Sequence, residues 1–169
     1  MWEAIPVILD EFEKDPAIRV VVVTGAGDKA FVSGADISEF EKARNTPEQV
    51  AYYDKIGEVA NARLNKCSKP TIARIRGYCI GGGLAVSLLC DIRIASDISK
   101  FGVPAARLGL GYRASGLKIL TDLVGPSHAK EIFFTARHFS AQEAFGMGLM
   151  TRIVPDAELD SYVDNYCKL

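Results

Sequence analysis

The order of segments along the chain predicts an α/β fold with a mostly parallel sheet. Three observations carry that expectation. Ile18 to Thr24 is a β-branched run, as expected of a parallel strand covered on both faces. Later strand-like runs alternate with helices whose starts are marked by capping residues. Three consecutive glycines, Gly81-Gly82-Gly83, then open one helix directly after a strand.

Taken in order, Glu3 to Lys14 reads as an amphipathic helix stopped by Asp15-Pro16. The strand Ile18 to Thr24 ends in Gly25-Ala26-Gly27. Ala30 to Ile37 reads as a second strand and loop, with Asp36 and Glu39 spaced as a capping box. Thr46-Pro47-Glu48-Gln49 is a clearer helix start, with threonine as cap, proline in the first turn and glutamine at the third position. Val50, Tyr53, Ile56, Ala60 and Leu64 then recur every three or four residues, giving one apolar face. Thr71 to Ile75 is a strand, Gly82 to Leu89 a helix, and Ile92 to Ala95 and Lys100 to Val103 are strands. Gly109 to Tyr112 is a loop. Ser115 to Val124 is helical up to Gly125-Pro126, and Ser127 to Thr135 continues as helix. Ser140-Ala141-Gln142-Glu143 is a second capping box, before a helix to Met147. Arg152 to Val154 is a strand, and a helix follows from Asp156. No repeat or long linker divides the chain, so residues 1–169 are expected to form a single domain.

Composition narrows the function classes. The chain is 49% hydrophobic and 24% charged, ordinary for a globular protein with one sizeable core. A formal net charge of −1 argues against a generic nucleic-acid or membrane surface. Lys14, Lys29, Lys42, Lys55, Lys66 and Lys69 are scattered among acids and are expected on solvated faces. No apolar run is long enough to cross a bilayer, and Met1-Trp2-Glu3-Ala4 lacks the features of a signal peptide. Cys67, Cys79, Cys90 and Cys167 form no CxxC pair, which fits a reducing, cytoplasmic setting. His128 and His138 have no spacing partner, so packing or surface roles are expected and no metal site.

The glycine triplet carries the chemistry. Glycine lets a backbone approach a ligand closely, and the first amides of a helix have no partner within it. Such a turn can hold an anion or a developing oxyanion, with a plain tight connection as the alternative.

Four stretches together resemble the crotonase superfamily, the enoyl-CoA hydratase/isomerase family. They are Val20 to Gly25; Lys29-Ala30-Phe31-Val32-Ser33-Gly34-Ala35-Asp36-Ile37; Gly77 to Gly83 running into Cys90 to Ala95; and Phe101-Gly102-Val103-Pro104 with Leu108 to Gly111. The resemblance implies a crotonase-like (ClpP/crotonase) spiral of ββα units that binds an acyl-CoA thioester. It implies that two backbone amides, of Ala35 and Gly82, polarise the thioester carbonyl. Ser33, Gly34, Ala35, Asp36 and Ile37, with Gly81 and Gly82, would line the coenzyme A path. Coenzyme A enters as part of the substrate, with no tightly bound cofactor. A homotrimer or dimer of trimers is also implied, with no nucleic-acid or membrane partner.

The same resemblance exposes two departures. The positions of the two hydratase glutamates hold Ala85 and Ala105, and methyl groups transfer no protons. The aspartate of a dienoyl-CoA isomerase would fall at Arg113. Relative to the family, the strand hairpin before Trp2 and the helices after Leu169 are missing, so a coenzyme A site formed by this span alone is expected to be incomplete. Three functions remain open on these residues. One is an enzyme using Tyr112 and Arg113, for which decarboxylation needs no base, Tyr112 standing where a family decarboxylase has a functional tyrosine. Another is a hydratase or isomerase drawing its acid from Asp36, Glu39, Asp91 or Asp122. The last is a non-catalytic acyl-CoA-binding or assembly subunit.

Overall fold

The computed structural model describes residues 1–34 and 45–169, so the capping box at Asp36 and Glu39 lies outside the described residues. The chain divides into two compact units, one of residues 1–21 with 35–71 and one of residues 22–34 with 72–169.

The first unit is helical. Helix α1 (Ala4–Lys14) packs on helix α2 (Pro47–Asn65), burying Leu9, Ala60 and Leu64. The predicted capping box is formed: the Thr46 hydroxyl accepts from the Gln49 amide, and the Gln49 side chain accepts from the Thr46 amide. Polar contacts tie the helices together. Arg63 pairs with Asp10 at 2.7 Å and with Glu13, and the Trp2 indole N–H donates to the Tyr53 hydroxyl. The Arg63 guanidinium, followed by the Ser68 amide, holds the Glu13 carboxyl down at about 2.

The strand expected from Ile18 begins only at Val21. The Ala17 amide donates to the Asp15 carboxylate, and the half-buried Lys69 ammonium donates to the carbonyls of Asp15 and Ile18. Those carbonyls serve a turn instead of a ladder. Lys69 is thus a structural donor and not a residue of a solvated face.

The described residues hold eight strands, which apart from Val21 and Thr71 belong to the second unit: β1 (Val21–Thr24), β2 (Ala30–Val32), β3 (Thr71–Ile75), β4 (Tyr78–Ile80), β5 (Ile92–Ser96), β6 (Lys100–Gly102), β7 (Phe139–Ser140) and β8 (Arg152–Val154). They form two four-stranded sheets, ordered β1-β3-β5-β8 and β2-β4-β6-β7. The pairs β2/β4, β4/β6, β3/β5 and β5/β8 are parallel, and β6/β7 is antiparallel. Sequence periodicity anticipates the parallel pairing but not the split. The reason lies at the corners. After β1, β3 and β5 of the first sheet the chain turns within a few residues and enters the second. At Gly77 the φ is 68°, and a Cβ there would stand 2.0 Å from the Lys29 carbonyl oxygen, so only glycine fits the corner. The short strand β4, between glycines 77 and 81, is hidden in sequence by the glycine run around it.

Helices α3 (Gly82–Leu88), α4 (Ala114–Thr135), α5 (Ala141–Gly146) and α6 (Leu159–Tyr166) complete this unit. Helix α4 breaks at Gly125 (φ 77°), as Gly125-Pro126 predicts. The second capping box forms at Ser140 and Glu143. The core is built from Phe101, Phe139, Ile75, Leu84, Ile94, Leu120 and Ile132, all fully buried.

Candidate active site

Strands β2, β4 and β6 run parallel, so the loops after them leave the same edge of one sheet. That is where ligands gather in open parallel sheets. In register, Val32 pairs with Cys79, and Ile80 pairs with Gly102. Three separate glycine-bearing stretches are thereby brought together. After β2 come Ser33 and Gly34, with Gly34 at φ 117° and its Cβ position 4.0 Å from the Ile80 carbonyl oxygen. After β4 comes the turn Gly81-Gly82-Gly83. After β6 come Val103, Pro104 and the 3-10 turn Pro104–Leu108, which leads to Tyr112.

Each glycine of the triplet has its own task. Gly81 takes φ 57° and ψ −115°, turning the chain from strand to helix, and its amide donates to the Gly102 carbonyl at 2.8 Å. Gly83 lets helix α3 lie against β2: a Cβ would stand 2.1 Å from the Val32 carbonyl oxygen. Between them the Gly82 amide, first in the helix, has no acceptor among the described residues. Among the described residues nothing beyond its chain neighbours lies within 4 Å of its Cβ position.

The Tyr112 hydroxyl stands 3.9 Å from the Cβ position of Gly81, and Pro104 Cδ is 3.7 Å from it. The ring of Tyr112 meets Phe133 edge-on, with centroids 5.0 Å apart. Partial burial raises the Tyr112 phenol above its ordinary pKa. The phenol makes no hydrogen bond among the described residues.

A model of a known family, the enoyl-CoA hydratase/isomerase family, matches residues 2–168. The chain belongs to that family. It is 41% identical over 152 residues to the short-chain-enoyl-CoA hydratase of Clostridium acetobutylicum, covering 90% of this chain and 58% of that protein. It is 37% identical over 145 residues to the crotonyl-CoA hydratase of Syntrophomonas wolfei, covering 86% of this chain and 55% of that one. Among solved structures, an enoyl-CoA hydratase/carnitine racemase from Magnetospirillum magneticum superposes with a TM-score of 0.94 at 36% identity, covering 99% of this chain and 63% of that one. The enoyl-CoA hydratase of Bacillus anthracis gives 0.92 at 35% identity, with 99% and 64% covered. The chain thus spans little more than half the length of the curated relatives it matches. The two-sheet rungs followed by helices are the crotonase-like α/β fold that the motifs imply.

Of the residues named from the motifs, Ser33 and Gly34 follow β2, Gly81 and Gly82 follow β4, and Tyr112 lies beyond the turn after β6, while Ala35, Asp36 and Ile37 lie outside the described residues. Arg113 is exposed and caps α4 through its carbonyl, which accepts from the amides of Gly116 and Leu117. Ala85 is half-buried on α3, one turn from the triplet, and Ala105 is 2% exposed. Of the alternative acids, Asp122 pairs with Lys118 on the surface of α4, Asp91 is exposed between α3 and β5, and Asp36 and Glu39 lie outside the described residues. Ile80 and Leu84 are core, but Leu108 is exposed. His128 donates from Nδ1 to the Val124 carbonyl, and His138 packs edge-on against Tyr78.

Two features escaped the sequence. Arg93 is buried and donates through Nε to the Leu149 carbonyl and through Nη1 to that of Cys90, tying the end of α3 to the segment before β8. Burial is the main force lowering its pKa. A polar cavity of about 210 Å³, lined by Thr24 to Asp28, Arg74, Arg76 and Asp160, shares no residue with the three loops. Its arginines are already paired, Arg74 with Asp160 at 3.1 Å and Arg76 with Asp156 at 3.0 Å. Among the described residues no group of acids, histidines and cysteines is placed to hold a metal ion, and no helix is long and apolar enough to cross a membrane.

Proposed function

We propose that residues 1–169 act as one acyl-CoA-binding domain that holds the thioester carbonyl between the amides of Gly82 and Ala35 and stabilises the enolate formed there. The observation that supports this is the Gly82 amide, without an acceptor among the described residues, at the edge where the loops after β2, β4 and β6 meet. A developing enolate oxygen needs convergent donors, and a preorganised backbone amide supplies one without reorganisation. Gly34 lies in van der Waals contact with the end of β4, its Cβ position 4.0 Å from the Ile80 carbonyl oxygen. Ser33, Gly34, Ala35, Asp36, Ile37, Gly81 and Gly82 then form the coenzyme A path. No resident cofactor is needed, because coenzyme A arrives with the substrate. Four free thiols suit a cytoplasmic protein. Family resemblance supports a homotrimer or dimer of trimers, which sedimentation velocity would test.

The test is the carbonyl of ¹³C-labelled crotonyl-CoA. On binding, its resonance moves downfield as the amides polarise it. Gly82→Pro removes the amide proton, and turnover through the enolate falls about 100- to 1,000-fold, the effect of removing one oxyanion donor. An unmoved carbonyl in the unaltered protein, with the ligand bound, refutes the proposed site.

The hydratase relatives point to short enoyl-CoA substrates, but Ala85 and Ala105 leave no proton-transfer group at the two positions where the resemblance places glutamates. Slow crotonyl-CoA hydration is therefore expected. The Tyr112 hydroxyl beside Gly81 favours a second chemistry, decarboxylation of a 2-carboxyacyl-CoA. The bond to the carboxylate breaks, carbon dioxide leaves, and the electron pair passes to the thioester oxygen. A proton from Tyr112 or water then closes the α-carbon, and Arg113 would pair with the departing carboxylate. Malonyl- and methylmalonyl-CoA test this. Tyr112→Phe is expected to lower decarboxylation at least about 10-fold while binding persists, with the residual turnover carried by water, and turnover unchanged in Tyr112→Phe excludes the role.

A further inference from the structure

A tyrosine that begins a loop-to-helix junction has two natural places to go, the solvent or a neighbouring surface. Tyr112 follows Gly109, Leu110 and Gly111 and directly precedes the cap of α4. Gly109 takes φ 64°, and among the described residues nothing beyond their chain neighbours lies within 4 Å of the Cβ positions of Gly109 or Gly111. The ring contact that Tyr112 makes among the described residues is not with this stretch.

The contact that does fix it comes from further along the chain. Phe133 stands in the part of α4 beyond the break at Gly125 and meets the Tyr112 ring at 80°. That edge-to-face arrangement is the favoured one for aromatic pairs. Phe133 is half-buried, and its neighbour Ile132 is fully buried, so the helix that carries Phe133 is anchored. With the ring held from that side, the hydroxyl reaches the Gly81 turn. No described hydrogen bond holds the hydroxyl there, so its position depends on ring packing.

We propose that Phe133 is a positioning residue: its ring edge holds Tyr112 so that the hydroxyl faces the Gly81-Gly82 turn. The break at Gly125 contributes by setting the direction of the second half of α4. The structural part of this proposal is independent of the thioester reaction. Its catalytic consequence rests on the decarboxylation reading above.

The experiment uses the full chain, with selectively labelled tyrosine, glycine and phenylalanine and with Tyr112 assigned through Tyr112→Phe. The unaltered protein is expected to show a nuclear Overhauser contact between the Tyr112 ring and the α-protons of Gly81. Phe133→Leu should lose it while contacts between Phe101 and Phe139 in the core persist, and Phe133→Tyr should restore it. With malonyl-CoA as probe, Phe133→Leu should lower kcat about 2- to 10-fold, in line with the worth of an aromatic pair, and leave KM within about twofold. In the double variant with Tyr112→Phe no further loss is expected, because both changes remove one device. A Tyr112–Gly81 contact that survives Phe133→Leu overturns the proposal, whatever the turnover. A contact that is lost and rescued as expected, with no turnover of malonyl-CoA by the unaltered protein, upholds the positioning and refutes the decarboxylation reading alone.

Discussion

Replacing Gly83 by alanine should destabilise the protein although alanine is the better helix former. The Cβ would stand 2.1 Å from the Val32 carbonyl oxygen, 2.8 Å from Val32 Cβ and 2.9 Å from the Val32 carbonyl carbon. Ordinary contact begins at 3.4 Å. The start of α3 and strand β2 must therefore separate by roughly 1 Å, and backbone cannot yield as a side-chain tip does. Overpacking of this kind costs about 1–3 kcal/mol, while the gain in helix propensity is about 1 kcal/mol at most. Because the clash is with backbone, the upper part of the overpacking range applies, and the net loss is about 1–2 kcal/mol. For a chain of this length that lowers Tm by about 2–8 °C. Gly57 in α2 is the control, since among the described residues nothing outside its own helix backbone lies within 4 Å of its Cβ position. Gly57→Ala should stabilise by about 0.5–1 kcal/mol. Urea denaturation of both variants reads the two signs. The same displacement moves the Gly82 amide, and a misplacement of about 1 Å costs about 100-fold in turnover. If Gly83→Ala stabilises as Gly57→Ala does, the close approach of α3 to β2 is wrong, and with it the placement of the Gly82 amide.

Other perturbations separate further parts of the structure. Arg93→Met removes the side-chain hydrogen bonds to the carbonyls of Leu149 and Cys90 and should cost about 2–4 kcal/mol in denaturant melts; Arg93→Lys, which cannot fork between two acceptors, should recover only part of it. Ser140→Ala removes the cap of α5 and should cost about 1 kcal/mol by the same melts. The Ser140 amide, with the Arg137 guanidinium next, holds the Glu143 carboxyl at about 2 against an ordinary 4.5. Its folded pKa is depressed, so its contribution is present above about pH 4.5 and is lost as pH falls toward about 2. Glu143→Gln should lower stability at neutral pH and flatten the acid-unfolding profile within that window, the two proteins converging as pH falls toward about 2. Burial pushes the Cys79 thiol up to about 12, so alkylation of the native protein at pH 8 should spare Cys79 and reach the half-buried Cys67 and Cys167 first, as peptide mapping would show.

Most elements were legible because their signals are local. Both capping boxes sit where Thr46-x-x-Gln49 and Ser140-x-x-Glu143 place them, and Gly125-Pro126 marks the break in α4. Strand β4 was not legible, since three residues between glycines give no periodicity. The start of β1 was misplaced because the side chain that claims the carbonyls of Asp15 and Ile18 comes from Lys69, some fifty residues away.

The sequence by itself determined the family, the glycine triplet and the absence of glutamates at Ala85 and Ala105, because those follow from residue identity and spacing. Tertiary structure decided that the predicted sheet is two sheets, that Gly83 is demanded by the Val32 carbonyl, and that the Tyr112 hydroxyl reaches Gly81 with Phe133 behind it. Those facts depend on strand register and on atoms distant in the chain, and a linear pattern does not encode which distant backbone will lie 2.1 Å from an added methyl group.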